Sequence, residues 1–112
     1  MQVRFESRAR EGVLIQQAAT RRAHFVMRRL WWLVPGVRIV LSDINGARGG
    51  IDKCCRVEMR TFTGTKVVAS GLANDWRAAL DLALGRAARA LLRSWRRMNH
   101  RQRPVLRALH GQ

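Results

Sequence analysis

The chain has 112 residues, 47% of them apolar, enough for one domain to bury a core without disulfide or metal staples and too apolar for a disordered tail. Its 22 Lys and Arg against 7 Asp and Glu give a formal net charge of +15, which opposes compaction and points to an anionic partner, nucleic acid first. No apolar run approaches the about 20 residues of a membrane span, and the N-terminal "MQVRFESRAREG" has no apolar leader core, so a cytoplasmic protein is expected.

Val3 and Phe5 alternate with Arg4 and Glu6, the period of a half-buried strand. From about Ile15 to Val34 the period changes: Ile15, Ala19, Ala23, Val26, Leu30 and Leu33 recur at steps of three and four, which predicts a helix ended by Pro35-Gly36. Val37, Ile39 and Leu41 then alternate as a second strand. A Gly-rich loop follows, then a third strand with Cys55, Val57 and Met59 on one face, the turn in "FTGTKVV", and a fourth strand around Lys66 to Ser70. Asn74 or Asp75 can cap a last helix in which Trp76, Leu80, Ala83, Leu84, Ala87, Leu91 and Trp95 form the apolar stripe, running to about Arg97 or Met98. Residues 1–98 are thus read as the folded domain, and 99–112, with Pro104 and no core pattern, as a basic flexible tail.

The order β-α-β-β-β-α predicts an α+β fold. A crossover makes strands one and two parallel, short turns make the later pairs antiparallel, and both helices pack on one face of a four-stranded mixed sheet.

The loop "LSDINGARGGIDKCCRVEM" admits several chemistries. Gly46, Gly49 and Gly50 match neither a Walker spacing nor a Rossmann turn, and the loop joins two strands, where neither motif occurs. Adjacent Cys54 and Cys55 point to opposite faces of a strand, and His24, His100 and His110 are scattered, so no metal site, cofactor or catalytic residue is expected. Asn45-Gly46 is a tight-turn dipeptide, and Asp43 and Asp52 can accept local backbone N–H bonds. Such a loop either presents Arg48 and Lys53 to a partner or is simply a well-made hairpin.

"DINGARGGIDKCCRVE", Asp43 to Glu58, resembles the signature Asp-x-Asn-Gly-Pro-Arg-Gly-Gly-x-Asp-Lys-x-Cys-Arg of one branch of the ribosome hibernation-promoting factor and ribosome-associated inhibitor family, the sigma-54 modulation proteins. The element order over residues 1 to 98 is similar as well, and Ala47 stands where that branch usually has proline. The resemblance implies a short-form member, without the family's C-terminal ribosome-dimerising domain. It implies a βαβββα domain like double-stranded-RNA-binding folds, which contacts 16S rRNA between head and body of the small subunit. There it overlaps the mRNA and tRNA paths at the decoding region and holds the 70S ribosome inactive under stress. No catalysis, small-molecule substrate or membrane is implied, and a monomer is expected. The alternative is a general structured-RNA-binding protein or RNA chaperone with no unique ribosomal site.

The candidate RNA-binding residues follow from charge and spacing. Arg86, Arg89, Arg93, Arg96 and Arg97 gather on one flank of the last helix, and no acidic residue follows Asp81 to neutralise them. Arg21, Arg22, Arg28 and Arg29 lie outside the apolar arc of the first helix, and side-by-side helices would join both sets into one broad surface. Arg48, Lys53 and Arg56 complete the set from the loop and the third strand. Solvated surface, or arginines favoured by the helix dipole, is the competing reading. Trp76 and Trp95 read as core. Trp31 and Trp32 cannot both face inward, which leaves one for a base or for burial under the tail.

Overall fold

The computed structural model describes residues 1–44 and 52–110, with side chains as far as Asn99. The chain runs β1 (Gln2–Ser7), α1 (Arg10–Val13), α2 (Gln16–Val26), a 3-10 turn (Trp31–Leu33), β2 (Gly36–Asp43), β3 (Lys53–Arg60), β4 (Lys66–Ala73) and α3 (Trp76–His110). The four strands lie in the order β1-β2-β3-β4, with β1 parallel to β2 and the two later pairs antiparallel. This is the expected α+β architecture.

Alternation decides the faces. Val37, Ile39 and Leu41 of β2, Cys55, Val57 and Met59 of β3 and Val67 of β4 are buried on one face, together with Ala19, Ala23, Ala79, Leu80, Ala83, Leu84, Ala87 and Leu91 from the helices and Met27 just beyond α2. The core is therefore the slab between sheet and helices. The opposite sheet face carries Arg4, Glu6, Arg38, Arg56, Glu58, Arg60 and Lys66, and among the described residues no helix packs on it.

Two glycines have positional meaning. Gly64 has φ 89° in the β3–β4 turn, a conformation that L side chains avoid. At Gly71 an added Cβ would stand 2.6 Å from the Ala79 carbonyl oxygen and 2.7 Å from Leu82 Cβ, so α3 rests directly on the β4 backbone there.

The sequence reading needs three corrections in the helices. One turn of helix, α1, precedes the first predicted helix, too short to show a period. Helix α2 ends at Val26, not near Val34. Beyond it the chain winds more tightly, with Leu30 N–H donating to Met27 O and Val34 N–H to Trp31 O. Met27 and Val34, both 0% exposed, remain in the core at the two ends of this tighter stretch. Helix α3 continues past Met98 to His110. Pro104, which brings no N–H to the backbone ladder, lies inside this extension, and the Arg, Leu and Ala around it are residues of good helix propensity.

Asp75 caps α3: its Oδ1 accepts the N–H of Ala78 at 2.8 Å. Trp76 is buried as expected, while Trp95 is only half-buried, edge-on to Trp32 at 6.2 Å between centroids.

Candidate nucleic-acid interface

Two contacts fix how α3 is rotated. Arg22 Nε of α2 meets Asp81 Oδ1 at 2.8 Å, so the Asp81 side of α3 faces α2. Arg86 Nη1 donates to the carbonyl oxygen of Ser70 at 2.8 Å, so the Arg86 side faces β4, the edge strand. At about 100° per residue, Arg86, Arg89, Arg93, Arg96 and Arg97 occupy an arc of roughly 100° on that β4 side. All five are exposed, and none forms an ion pair with a described residue. Arg86 spends its hydrogen bond on a neutral carbonyl and keeps its charge.

The first-helix arginines behave differently. Arg21 and Arg22 border the groove between α2 and α3, beside Phe25, Arg77, Leu80 and Asp81. Arg22 is neutralised there by Asp81. Arg28 lies 4.4 Å from the Phe25 ring centroid and donates to the Phe25 carbonyl, whereas Arg29 is exposed. The single broad surface expected from side-by-side helices is therefore divided. The α3 set faces away from α2, because the face that α3 turns to its neighbour carries Asp81.

Lys53 does not project as a free charge. It sits at the start of β3 on the core side of the sheet, with Nζ 2.7 Å from Asp43 Oδ2, 3.6 Å from Asp52 Oδ2, 3.9 Å from Glu11 Oε2 and 5.2 Å from the Trp76 ring centroid. The Asp43 hydrogen bond holds the Lys53 ammonium above its ordinary value. Three positions of the Gly-rich signature thus form an ion cluster at the base of the loop, where Ile44 N–H also donates to Asp52 O. Arg48, the Asn45-Gly46 turn, Ala47 and Gly49-Gly50 lie outside the described residues.

Arg56 projects from the helix-free sheet face and pairs with Glu58 at 3.1 Å. Arg38, between them and β1, reaches Glu58 at 3.2 Å and Glu6 at 3.0 Å, and these bonds raise its already high pKa. Desolvation pushes the Glu58 carboxyl up, but the Arg38 hydrogen bond and the charges of Lys66, Arg56 and Arg38 outweigh it and hold Glu58 below the usual value. Arg4, Arg60 and Lys66 make no ion pair with a described residue and line a shallow cavity with Gln2, Gly36, Arg38 and Glu58.

Of this second basic face the sequence reading named only Arg56 as an RNA contact. Its signal was present in the strand period that gave the core: Arg4, Arg38, Arg56, Arg60 and Lys66 all alternate with buried positions. Arg77, in the interhelical groove, was also missed.

Cys55 lies in the core, where burial first and the neighbouring Cys54 second push its thiol up to about 12. It is a packed apolar side chain at neutral pH. Among the described residues no helix is long and apolar enough to cross a membrane.

A parallel β1–β2 pair, an antiparallel meander and two helices on one side make a recognisable arrangement. The chain is similar in fold to a ribosomal subunit interface protein. That protein, from Coxiella burnetii, matches with a TM-score of 0.68 over 84% of this chain and 97% of its own. The likeness to the Coxiella burnetii protein therefore extends over the whole arrangement rather than one supersecondary unit. At 13% identity it is a likeness of fold. No family model and no curated protein matches the sequence.

Proposed function

We propose that this protein is a ribosome-associated translation inhibitor of the hibernation type. It binds 16S rRNA of the small subunit near the decoding region and acts by occupying the mRNA and tRNA paths, without catalysis. The observation that carries the reading is the α3 flank, where exposed guanidinium groups stand side by side with no carboxylate among the described residues to neutralise them. Guanidinium forks meet phosphate oxygens bidentately, and a row of them costs self-repulsion that a polyanion relieves. Two further observations support a ribosomal RNA: the fold likeness to a ribosomal subunit interface protein, and the Asp43-to-Glu58 signature, whose Asp43, Asp52 and Lys53 the fold assembles into one cluster.

Co-sedimentation with purified small subunits and 70S ribosomes over graded salt, combined with chemical footprinting of 16S rRNA, tests this. The expected result is protection of decoding-region nucleotides and a log–log salt slope of about −5, as about six neutralised phosphates would give. A flat salt response, or protection elsewhere, contradicts it.

Phosphate contacts position a protein but carry no base sequence. A general structured-RNA binder is therefore the second reading, favoured by the lack of any acidic residue to sharpen the α3 flank. Equal affinity for unrelated duplex RNAs and for ribosomal subunits would select it.

A further inference from the structure

The α3 flank offers charge, but a different part of the molecule offers rings. Phe25, Trp31 and Trp32 are 53%, 56% and 50% exposed, three large aromatic side chains held half in solvent within one short stretch of chain. Burial of such rings is among the largest favourable terms a fold has, so leaving three neighbours out calls for a partner.

Their surroundings say which chemistry that partner has. Arg22 and Arg28 stand 5.2 Å and 4.4 Å from the Phe25 centroid, so the ring already sits among guanidinium groups. Arg21 and Arg29, both exposed, form no ion pair with any described residue and flank the same stretch. Trp32 is fixed in place: its Nε1 donates to the Arg29 carbonyl at 3.0 Å, and the edge of Trp95 braces it at 6.2 Å. Binding on a ring held this way costs little further ordering.

We propose that Phe25, Trp31 and Trp32 form a stacking platform for the bases of an unpaired RNA segment, with Arg21 and Arg29 meeting its phosphates. Rings interleaved with guanidinium groups match a strand in which π-faces alternate with phosphates. A duplex hides its base faces and would leave the rings unused, whereas the α3 flank, which lacks exposed aromatics, suits duplex phosphate. A membrane surface also attracts Trp and Arg, but insertion of Phe25 would drag Arg22 and Arg28 with it into the apolar layer.

This inference rests on the RNA-binding reading but not on the ribosomal site. The test is binding of the full chain to a fluorescently labelled oligouridylate of about eight nucleotides, within the span a single stacking groove covers. A duplex RNA and anionic phosphatidylserine vesicles are measured alongside. The double variant Phe25→Leu/Trp31→Leu should lose affinity for oligouridylate by about tenfold or more, as removal of base stacking implies. Its duplex affinity and thermal midpoint should stay close to those of the parent. Trp31→Phe, which keeps a π-face at a half-exposed position, should retain most of the oligouridylate affinity. Equal losses on both RNAs, no loss on either, or vesicle capture without oligouridylate affinity would overturn the platform. Oligouridylate binding without co-sedimentation would remove the ribosomal site and leave the platform standing. Co-sedimentation without oligouridylate affinity would do the reverse.

Discussion

Arg22 and Asp81 join the two long helices across their groove, Nε to Oδ1 at 2.8 Å, and in doing so they take one predicted RNA contact out of the free set. Both side chains are about half exposed, 46% and 51%, so the pair is screened and contributes less than about 1 kcal/mol. Asp81→Asn should therefore barely change the denaturation midpoint while raising affinity for RNA, because it frees Arg22 and removes a negative charge. Unchanged RNA affinity in a binding titration would show that the groove is not part of the interface.

Reversing charge on the α3 flank should have the opposite signature. Arg89→Glu/Arg93→Glu is expected to weaken co-sedimentation with ribosomes strongly and to reduce the salt slope by about two phosphate equivalents. Both residues are exposed, so the melting curve should stay nearly superimposable on that of the parent. A large stability loss would assign the pair a structural role.

Gly71→Ala should be among the most damaging small substitutions in the chain. The added methyl meets backbone atoms of α3 at Ala79 and Ala83, which cannot rotate away, so α3 must lift from β4. Overpacking of this kind costs about 1–3 kcal/mol, readable in urea denaturation as a lower midpoint at unchanged m-value.

The Glu58 carboxyl supplies a pH dependence with a definite sign. Its folded-state pKa is depressed, because Arg38, Lys66 and Arg56 together outweigh the cost of its partial burial. The stabilisation it brings is therefore complete above the unfolded glutamate value of about 4.3 and is lost as pH falls through the lower folded value. Parent and Glu58→Gln should differ most in stability at neutral pH and converge in acid. A constant difference across the acid limb would show that Glu58 does not titrate in this setting.

Cys55 should resist alkylation in the native protein at pH 8, since its thiol is 0% exposed and pushed up to about 12. Peptide mapping after treatment with iodoacetamide should find it modified only when urea is present. Labelling at native conditions would mean that β3 opens locally.

Much of the fold was legible in local period because each strand has one covered face. The alternation at Val37, Ile39 and Leu41, and again at Cys55, Val57 and Met59, is imposed by that single layer of helices and can be read without coordinates. The end of α2 was not legible. The stretch from Met27 to Val34 keeps apolar residues at spacings compatible with a helix, so local period could not show that the chain winds tighter there while Met27 and Val34 stay buried. The site divides in the same manner: the α3 arginines were visible as one flank, but Lys53 was assigned to the partner although it is held by Asp43, Asp52 and Glu11 from three separate segments.

By itself, the order of residues in this chain determined the architecture, the excess of positive charge and the gathering of five arginines along one side of α3, because period and composition are properties of neighbours along the chain. Tertiary structure alone decided which charges remain available. Ion pairs such as Arg22 with Asp81 and Arg38 with Glu6 join residues far apart in sequence, and only packing brings their charges within reach of one another.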